Sequence, residues 1–271
     1  MDKEYRLEAE TKAGRLESIK EISQGEFDEI DAANACLSNG MECIDFYVIC
    51  KENFEELARF FDAANFGDKR FFVEANRLFF NFVASFYSWL SFYEKTCKHC
   101  DVSEEFKVVK NSFYSENKAY RLLYGLRNYS SHAGLLPVRT SSIDLLTEEV
   151  TVWIDPQMML SSGEKWKKQE HEDLQEYVDN GRQIDLLKFL SEASTAFEQA
   201  QIRYFGILTP NILEAISMID RLIPGEGLQN RPHVWIIQSS TGMIVKSLDS
   251  QLTLCINKLA EEYAPIDLSR T

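Results

Sequence analysis

Apolar residues recur with a helical period over most of the chain. From Phe71 to Tyr93, Ala75, Phe79, Phe82, Phe86, Trp89 and Tyr93 alternate steps of four and three, which predicts a long helix packed among others at the centre of the core. Asn53 to Phe66 carries Phe54, Leu57, Ala58 and Phe61 on one face and stops at Gly67-Asp68. Glu26 to Leu37 reads as a further helix, closed by the turn signal Asn39-Gly40. Leu122, Leu126, Tyr129 and Ala133 form the apolar stripe of a helix within Ala119 to Pro137, which Gly134 and Pro137 bring to an end. It follows a helix whose start falls near Ser103 or Ser115. Helices are also expected over Glu164 to Tyr177, Ile184 to Tyr204 and Asn211 to Ile223, with Asn180-Gly181 and Pro224-Gly225 as breaks.

Strand-like patterning is sparser. Ile44 to Cys50 (IDFYVIC) is a β-branched and aromatic run that reads as one strand, and Glu149 to Met158 shows alternation around Thr151 and Trp153. Val234–Gln238 and Met243–Val245, either side of Thr241-Gly242, form a hairpin pattern. Residues 1–22 are charged and weakly periodic, so helix and strand both stay open there. The pattern describes a mainly α fold with small β additions near the N-terminus and after Pro137. Its expected parts are an N-terminal extension with one short strand (1–50), a helical body (51–223) with a β insertion near 149–158, and a small C-terminal extension (224–271).

Composition narrows the function classes. The 271 residues are 45% hydrophobic with 18 Phe and 11 Tyr, ample for a packed core. A formal net charge of −14 argues against a general nucleic-acid coat or a membrane-surface protein. MDKEYRLEAE lacks a basic n-region and an apolar h-region, so no secretory signal is expected. Six scattered cysteines then fit reduced thiols in the cytoplasm better than a disulfide framework. Phe71 to Tyr93 has the length of a membrane span, but Glu74, Arg77 and Asn81 interrupt it, and no membrane partner is expected.

Charge is unevenly placed. Between Phe106 and Ile143 stand Lys107, Lys110, Lys118, Arg121, Arg127 and Arg139 against the single anion Glu116. A local excess of five positive charges in an acidic chain suits an anionic ligand such as a phosphate backbone. Lys118, Arg121 and Arg139 are the candidates to hold it. The plainer alternative pairs these cations with carboxylates on neighbouring helices. On the same helix Arg121, Gly125, Asn128 and His132 make a polar stripe, with a glycine where another backbone can come close. Asn128 and His132, four apart, can hydrogen-bond and so fix the imidazole tautomer. Arg127 and His132 are separated by about 140° of helix rotation, so they lie on neighbouring stripes, and a cleft that spans both, or a two-fold axis beside them, would bring them together. The alternative for a His at a helix end is a cap on the final carbonyls.

Arg127-Asn128-Tyr129-Ser130-Ser131-His132 matches the R-x4-6-H signature of the HEPN superfamily, including a polar residue directly after the Arg. The aromatic-rich helix before it, the LLYGLRN approach and the AGLLP exit also resemble bacterial HEPN-type proteins, over roughly Asn53 to Pro137. The resemblance implies an up-and-down helical bundle that forms a homodimer with both Arg–His motifs facing one cleft. It implies a metal-independent endoribonuclease of toxin or antiviral-defence type, without cofactor, with Arg127 and His132 catalytic and Asn128 supporting. RNA and an antitoxin or defence-system protein are the implied partners. Other members of the superfamily are inactive, and a non-catalytic dimerisation module is the alternative. The residue types suit RNA cleavage by its own 2′-OH: an imidazole can take or give the proton, and a guanidinium can hold the charge gathering on phosphorus. Where nucleotidylated HEPN toxins carry a Tyr two residues after the His, this chain has Gly134, so that form of silencing is not implied.

Other motifs are weaker. Cys97-Lys98-His99-Cys100 is a CxxC without a second pair at zinc-ribbon spacing, so no metal is expected. His171-Glu172 begins like HExxH, but position 175 is Gln. Lys165, Lys167 and Lys168 around Trp166 could touch RNA, though a solvated helix face is the simpler reading.

Overall fold

The computed structural model describes residues 5–10, 15–62, 70–142, 150–221, 234–238 and 243–247. Two strands, β1 (Tyr5–Glu10) and β2 (Leu16–Ile22), lead into helix α1 (Gln24–Asp62). Then come α2 (Phe71–His99), α3 (Ser103–Glu116) and α4 (Lys118–His132). Strands β3 (Val138–Ser142) and β4 (Val150–Ile154) precede the short α5 (Pro156–Ser161) and α6 (Lys168–Asp179). A two-residue strand, β5 (Ile184–Asp185), opens into α7 (Leu186–Asp220), and β6 (Val234–Gln238) and β7 (Met243–Ser247) complete the described chain. The fold is mainly α with two small antiparallel sheets, as the pattern indicated.

The expected strand at Ile44–Cys50 is instead the middle of α1. Cys43, Ile44, Tyr47 and Cys50 are all buried, at the 3–4 spacing of a helix face, and that face outweighs local β propensity. Asn39-Gly40 does not break the helix either. A Cβ at Gly40 would lie 2.8 Å from Cδ1 of Ile212 on α7, so this glycine admits a neighbouring helix. The start of α1 is a capping box. Ser23 Oγ accepts from the Glu26 N–H at 3.2 Å, and Glu26 Oε2 accepts from the Ser23 N–H at 2.9 Å. Lys20 bonds the other carboxylate oxygen, and these contacts hold the Glu26 carboxyl down at about 2.

The two helices expected at 184–204 and 211–223 are one, α7, with Pro210 inside it. Tyr204, Leu208, Ile212, Ala215 and Ile219 keep one buried stripe through the proline, and continuous burial of that stripe offsets the lost backbone bond. Asn117 separates α3 from α4; its side chain accepts from the Tyr120 N–H at 2.9 Å, which caps α4.

The terminal segments, expected to be separate, share one sheet in the order β2-β1-β6-β7. Leu7 of β1 stands opposite Ile236 of β6 and both are buried, which settles residues 5–10 as strand. The hairpin pairing of β6 with β7 is present; Thr241-Gly242 lies outside the described residues. The second sheet, β3-β4-β5, confirms the expected strand near Trp153 and adds a partner on each side.

The chain divides into two compact units, Met1–Ile44 with Thr96–Asp101 and Gly206–Thr271, and Asp45–Lys95 with Val102–Phe205. The second holds α3 to α6 and an aromatic core. Trp89 packs on Phe197 and Tyr204 with ring centroids 4.8 and 5.4 Å apart, and its indole N–H donates to Gln201 at 2.8 Å. Tyr120 of α4 reaches the same core, its hydroxyl 2.9 Å from that of Tyr204. None of the described helices is long and apolar enough to cross a membrane.

Candidate functional site

Helix α4 presents two faces of different fate. Phe86 and Phe113 pack against Tyr120, while Leu122, Leu123 and Leu126 are buried with it, so the apolar stripe anchors the helix. The polar stripe from Arg121 to His132 then faces outward from that core.

Its first half is covered by the protein itself. Arg121 Nε donates to Asp173 Oδ2 of α6 at 2.6 Å and Nη2 to Oδ1 at 3.1 Å, and both residues are buried. Nη1 reaches the carbonyls of Tyr114 and Ser115 at 2.5 and 3.0 Å, which satisfies acceptors that the end of α3 leaves without helical partners. The Asp173 carboxylate raises the Arg121 pKa, so this guanidinium stays charged and engaged inside the fold. One turn on, the Trp166 ring lies over Gly125; a Cβ there would meet it at 2.9 Å. Trp166 also stacks on Tyr129 at 5.7 Å. Lys167 Nζ stands over the Tyr114 and Tyr124 rings at 4.9 and 4.3 Å, and Glu170 accepts from the Tyr114 hydroxyl at 2.8 Å. Burial and the Glu170 carboxylate push the Tyr114 phenol up. The close approach expected at Gly125 is therefore made by an indole of the same chain. Trp166 alone of the Lys165–Lys168 stretch covers α4 at Gly125; Lys165, Lys167 and Lys168 are exposed, as a solvated face implies, although α6 begins only at Lys168.

The second half is open. Arg127, on the neighbouring stripe, lies over the exposed ring of Tyr87, its guanidinium carbon 3.5 Å from the centroid, and Nη1 donates to Asn128 Oδ1 at 2.8 Å. Asn128 thus accepts from Arg127, where a bond to His132 was the expected use. Arg127 and Asn128 are half-buried, and His132 is exposed as the last residue of α4. Because α4 is helical through His132, the neighbouring-stripe relation of Arg127 and His132 is retained.

Beyond His132 the chain is held in place. The Ala133 N–H donates to the Tyr129 carbonyl at 2.8 Å, and Gly134 takes a φ of +136°, which disfavours a side chain. The Leu136 N–H then donates to Oδ1 of Asn76 at 2.7 Å, while the Asn76 Nδ2 donates to the Phe72 carbonyl at 2.9 Å. This buried amide docks the exit of α4 onto α2. Beside it runs a groove of about 430 Å³ lined by Val73, Phe80, Ser130, Leu135 and neighbouring residues. Val73, Phe80 and Tyr87 recur every seven residues along α2 and are exposed, and Leu135 is 73% exposed.

The remaining candidate cations are largely neutralised. Lys118 Nζ lies 2.8 Å from Glu176 and over the Tyr177 ring at 4.3 Å, and it lowers the Glu176 carboxyl. Lys107 pairs with Glu104 at 2.6 Å and Lys110 with Glu94 at 2.8 Å. Arg139, on β3, is exposed and directs Nη2 to the Met158 sulfur at 3.1 Å. Of the six cations in the basic stretch, Lys107, Lys110, Lys118 and Arg121 face carboxylates, so the pairing alternative describes most of it. Tyr87, Asn76 and Asp173 were not singled out from sequence, and Trp166 was noted only within a lysine cluster. Asn76 did carry a signal, an amide on a helix otherwise rich in aromatic residues. No family model, no curated protein and no solved structure matches the chain.

Proposed function

We propose that the chain is a HEPN-like, metal-independent endoribonuclease that works as a homodimer, of the toxin or antiviral-defence type, in the cytoplasm. One observation carries the reading: Arg127 and Asn128 stand together at the open end of α4, with His132 exposed one turn further on. Cleavage would proceed by attack of the RNA 2′-OH on the adjacent phosphorus. His132 takes that proton or protonates the leaving 5′-oxygen, and a second His from a partner copy does the other. Arg127 holds the charge that gathers on the phosphoryl oxygens, with Asn128 orienting it. The products are a 2′,3′-cyclic phosphate and a 5′-hydroxyl.

Because Trp166 and Asp173 cover Gly125 and Arg121, a partner copy has no access to that half of the stripe. The outer face of α2 beside Arg127, with Val73, Phe80 and Tyr87, is the surface through which a two-fold dimer would bring both open ends to one cleft. The test is cleavage of RNA in EDTA by the wild type, Arg127→Ala and His132→Ala, with the mass of each species measured in solution. Loss of cyclic-phosphate products in both variants, with the dimer retained, is the expected result; equal product from all three proteins overturns the assignment. A second reading, a HEPN-like dimerisation module without activity or an interaction module for an antitoxin or defence protein, draws on the carboxylate pairing of Lys118 and Arg121. It predicts a dimer with no RNA cleavage above background.

A further inference from the structure

Five of the six cysteines are described, and they fall into two kinds. Cys43, Cys50 and Cys97 are fully buried. Burial pushes the Cys50 thiol up to about 12 and the Cys43 thiol higher still, so neither supplies a thiolate near neutral pH. Cys36 and Cys100 are only half-buried, and their Sγ atoms lie 3.8 Å apart although 64 positions separate them in sequence.

The surrounding backbone fixes this meeting. Cys36 sits on α1, one turn before the position where Gly40 admits Ile212. Cys100 directly follows α2, where its N–H donates to the Thr96 carbonyl at 3.0 Å and the next residue, Asp101, turns the chain at φ 58°. The Cys100 carbonyl accepts from Nδ2 of Asn211 at 3.2 Å. With both ends held, the sulfurs need to close by about 1.8 Å to reach disulfide length, a distance of the order that turning two Cα–Cβ bonds supplies.

We propose that Cys36 and Cys100 are a reversible redox pair that peroxide converts to a disulfide, clamping α1 to the end of α2. Cys100 is the attacking sulfur. It lies 3.8 Å from the Cys36 sulfur, and the hydrogen bond between the two lowers its thiol pKa, which favours the thiolate that attacks. That thiolate attacks one oxygen of hydrogen peroxide, which breaks the O–O bond and yields a sulfenic acid and hydroxide. Cys36 then attacks the sulfenic sulfur, forming the S–S bond and releasing water with its own proton. Two thiols lose two electrons and one peroxide becomes two waters. A thiol reductant reverses the step. The pair is independent of the Arg127–His132 site, and its test does not involve RNA.

The full-length protein is treated with hydrogen peroxide, blocked with an alkylating agent, digested and read by mass spectrometry. The expected result is a Cys36–Cys100 linked peptide within one chain, removed by dithiothreitol. It is accompanied by a rise in melting temperature of about 5 °C, as closing a long loop restricts the unfolded chain. In Cys36→Ser the link and the rise are absent, and Cys100 proceeds to sulfinic acid. Peroxide-treated wild type in which both cysteines remain alkylatable, or in which Cys100 links instead to Cys255 or to another molecule, overturns the proposal.

Discussion

The two halves of α4 each carry an arginine, on neighbouring stripes, and the two end in different circumstances. Arg121 and Arg127 are six residues apart on one helix. Arg121 is enclosed by Asp173 and two carbonyls of α3; Arg127 rests on a solvent-facing tyrosine with an asparagine at its edge. The difference comes from what packs on each half. The segment from Trp166 to Asp173 folds back onto Arg121, Gly125 and Tyr129, while His132 is exposed at the helix end. A guanidinium serves as a structural clamp where a carboxylate and two carbonyls surround it, as at Arg121.

Breaking the clamp gives the largest expected effect. Arg121→Ala leaves Asp173 buried without its partner and should lower stability by about 3–5 kcal/mol in urea unfolding. His132→Ala, at the open end, should change it by no more than about 0.5 kcal/mol. Equal losses would erase the distinction between the halves. Next, Asn76→Ala orphans the buried Leu136 N–H and should cost about 2 kcal/mol, a sign that the open end depends on its docking to α2.

Gly125→Ala tests the cover more finely. The new methyl gains about 1 kcal/mol of helix propensity, yet must displace an indole held against Tyr129, at about 1–3 kcal/mol. A net loss of about 1 kcal/mol is expected, turning into a small gain in a Trp166→Ala background. A gain in both backgrounds would mean that Trp166 does not press on the helix.

The smallest effect lies at the exposed counterpart of the buried pair, the Glu26 cap. Its carboxyl is held below its ordinary value by Lys20 and Ser23, so its contribution is complete above the unfolded carboxylate range and fades as pH falls toward about 2. The stability gap between wild type and Glu26→Gln should stay constant from pH 8 to about 5 and close below about 4.5. A gap that widens on acidification would contradict the capping geometry.

Legibility followed the range of the interactions. The long α2, the stop of α4 at Gly134 and the β6–β7 pairing were all readable, because periodicity and turn residues act within a few positions. The Ile44–Cys50 strand was misread because β-branched and aromatic residues in a buried helix look the same as in a buried strand. The break at Asn39-Gly40 failed for a related reason: glycine marks turns and close helix approaches alike. Within the candidate site, Arg127, Asn128 and His132 were visible as a local motif. Asp173, 52 positions from Arg121, and Tyr87 beneath Arg127 were not.

By itself, then, the sequence determined a mainly helical chain, the extent of α4 and the spacing that places Arg127 and His132 on neighbouring stripes. These depend on backbone geometry and nearby side chains. Only the tertiary structure decided which half of the polar stripe is open, that the terminal strands share a sheet, and that Cys36 meets Cys100. Those outcomes depend on contacts between residues distant in the chain, which no local pattern encodes.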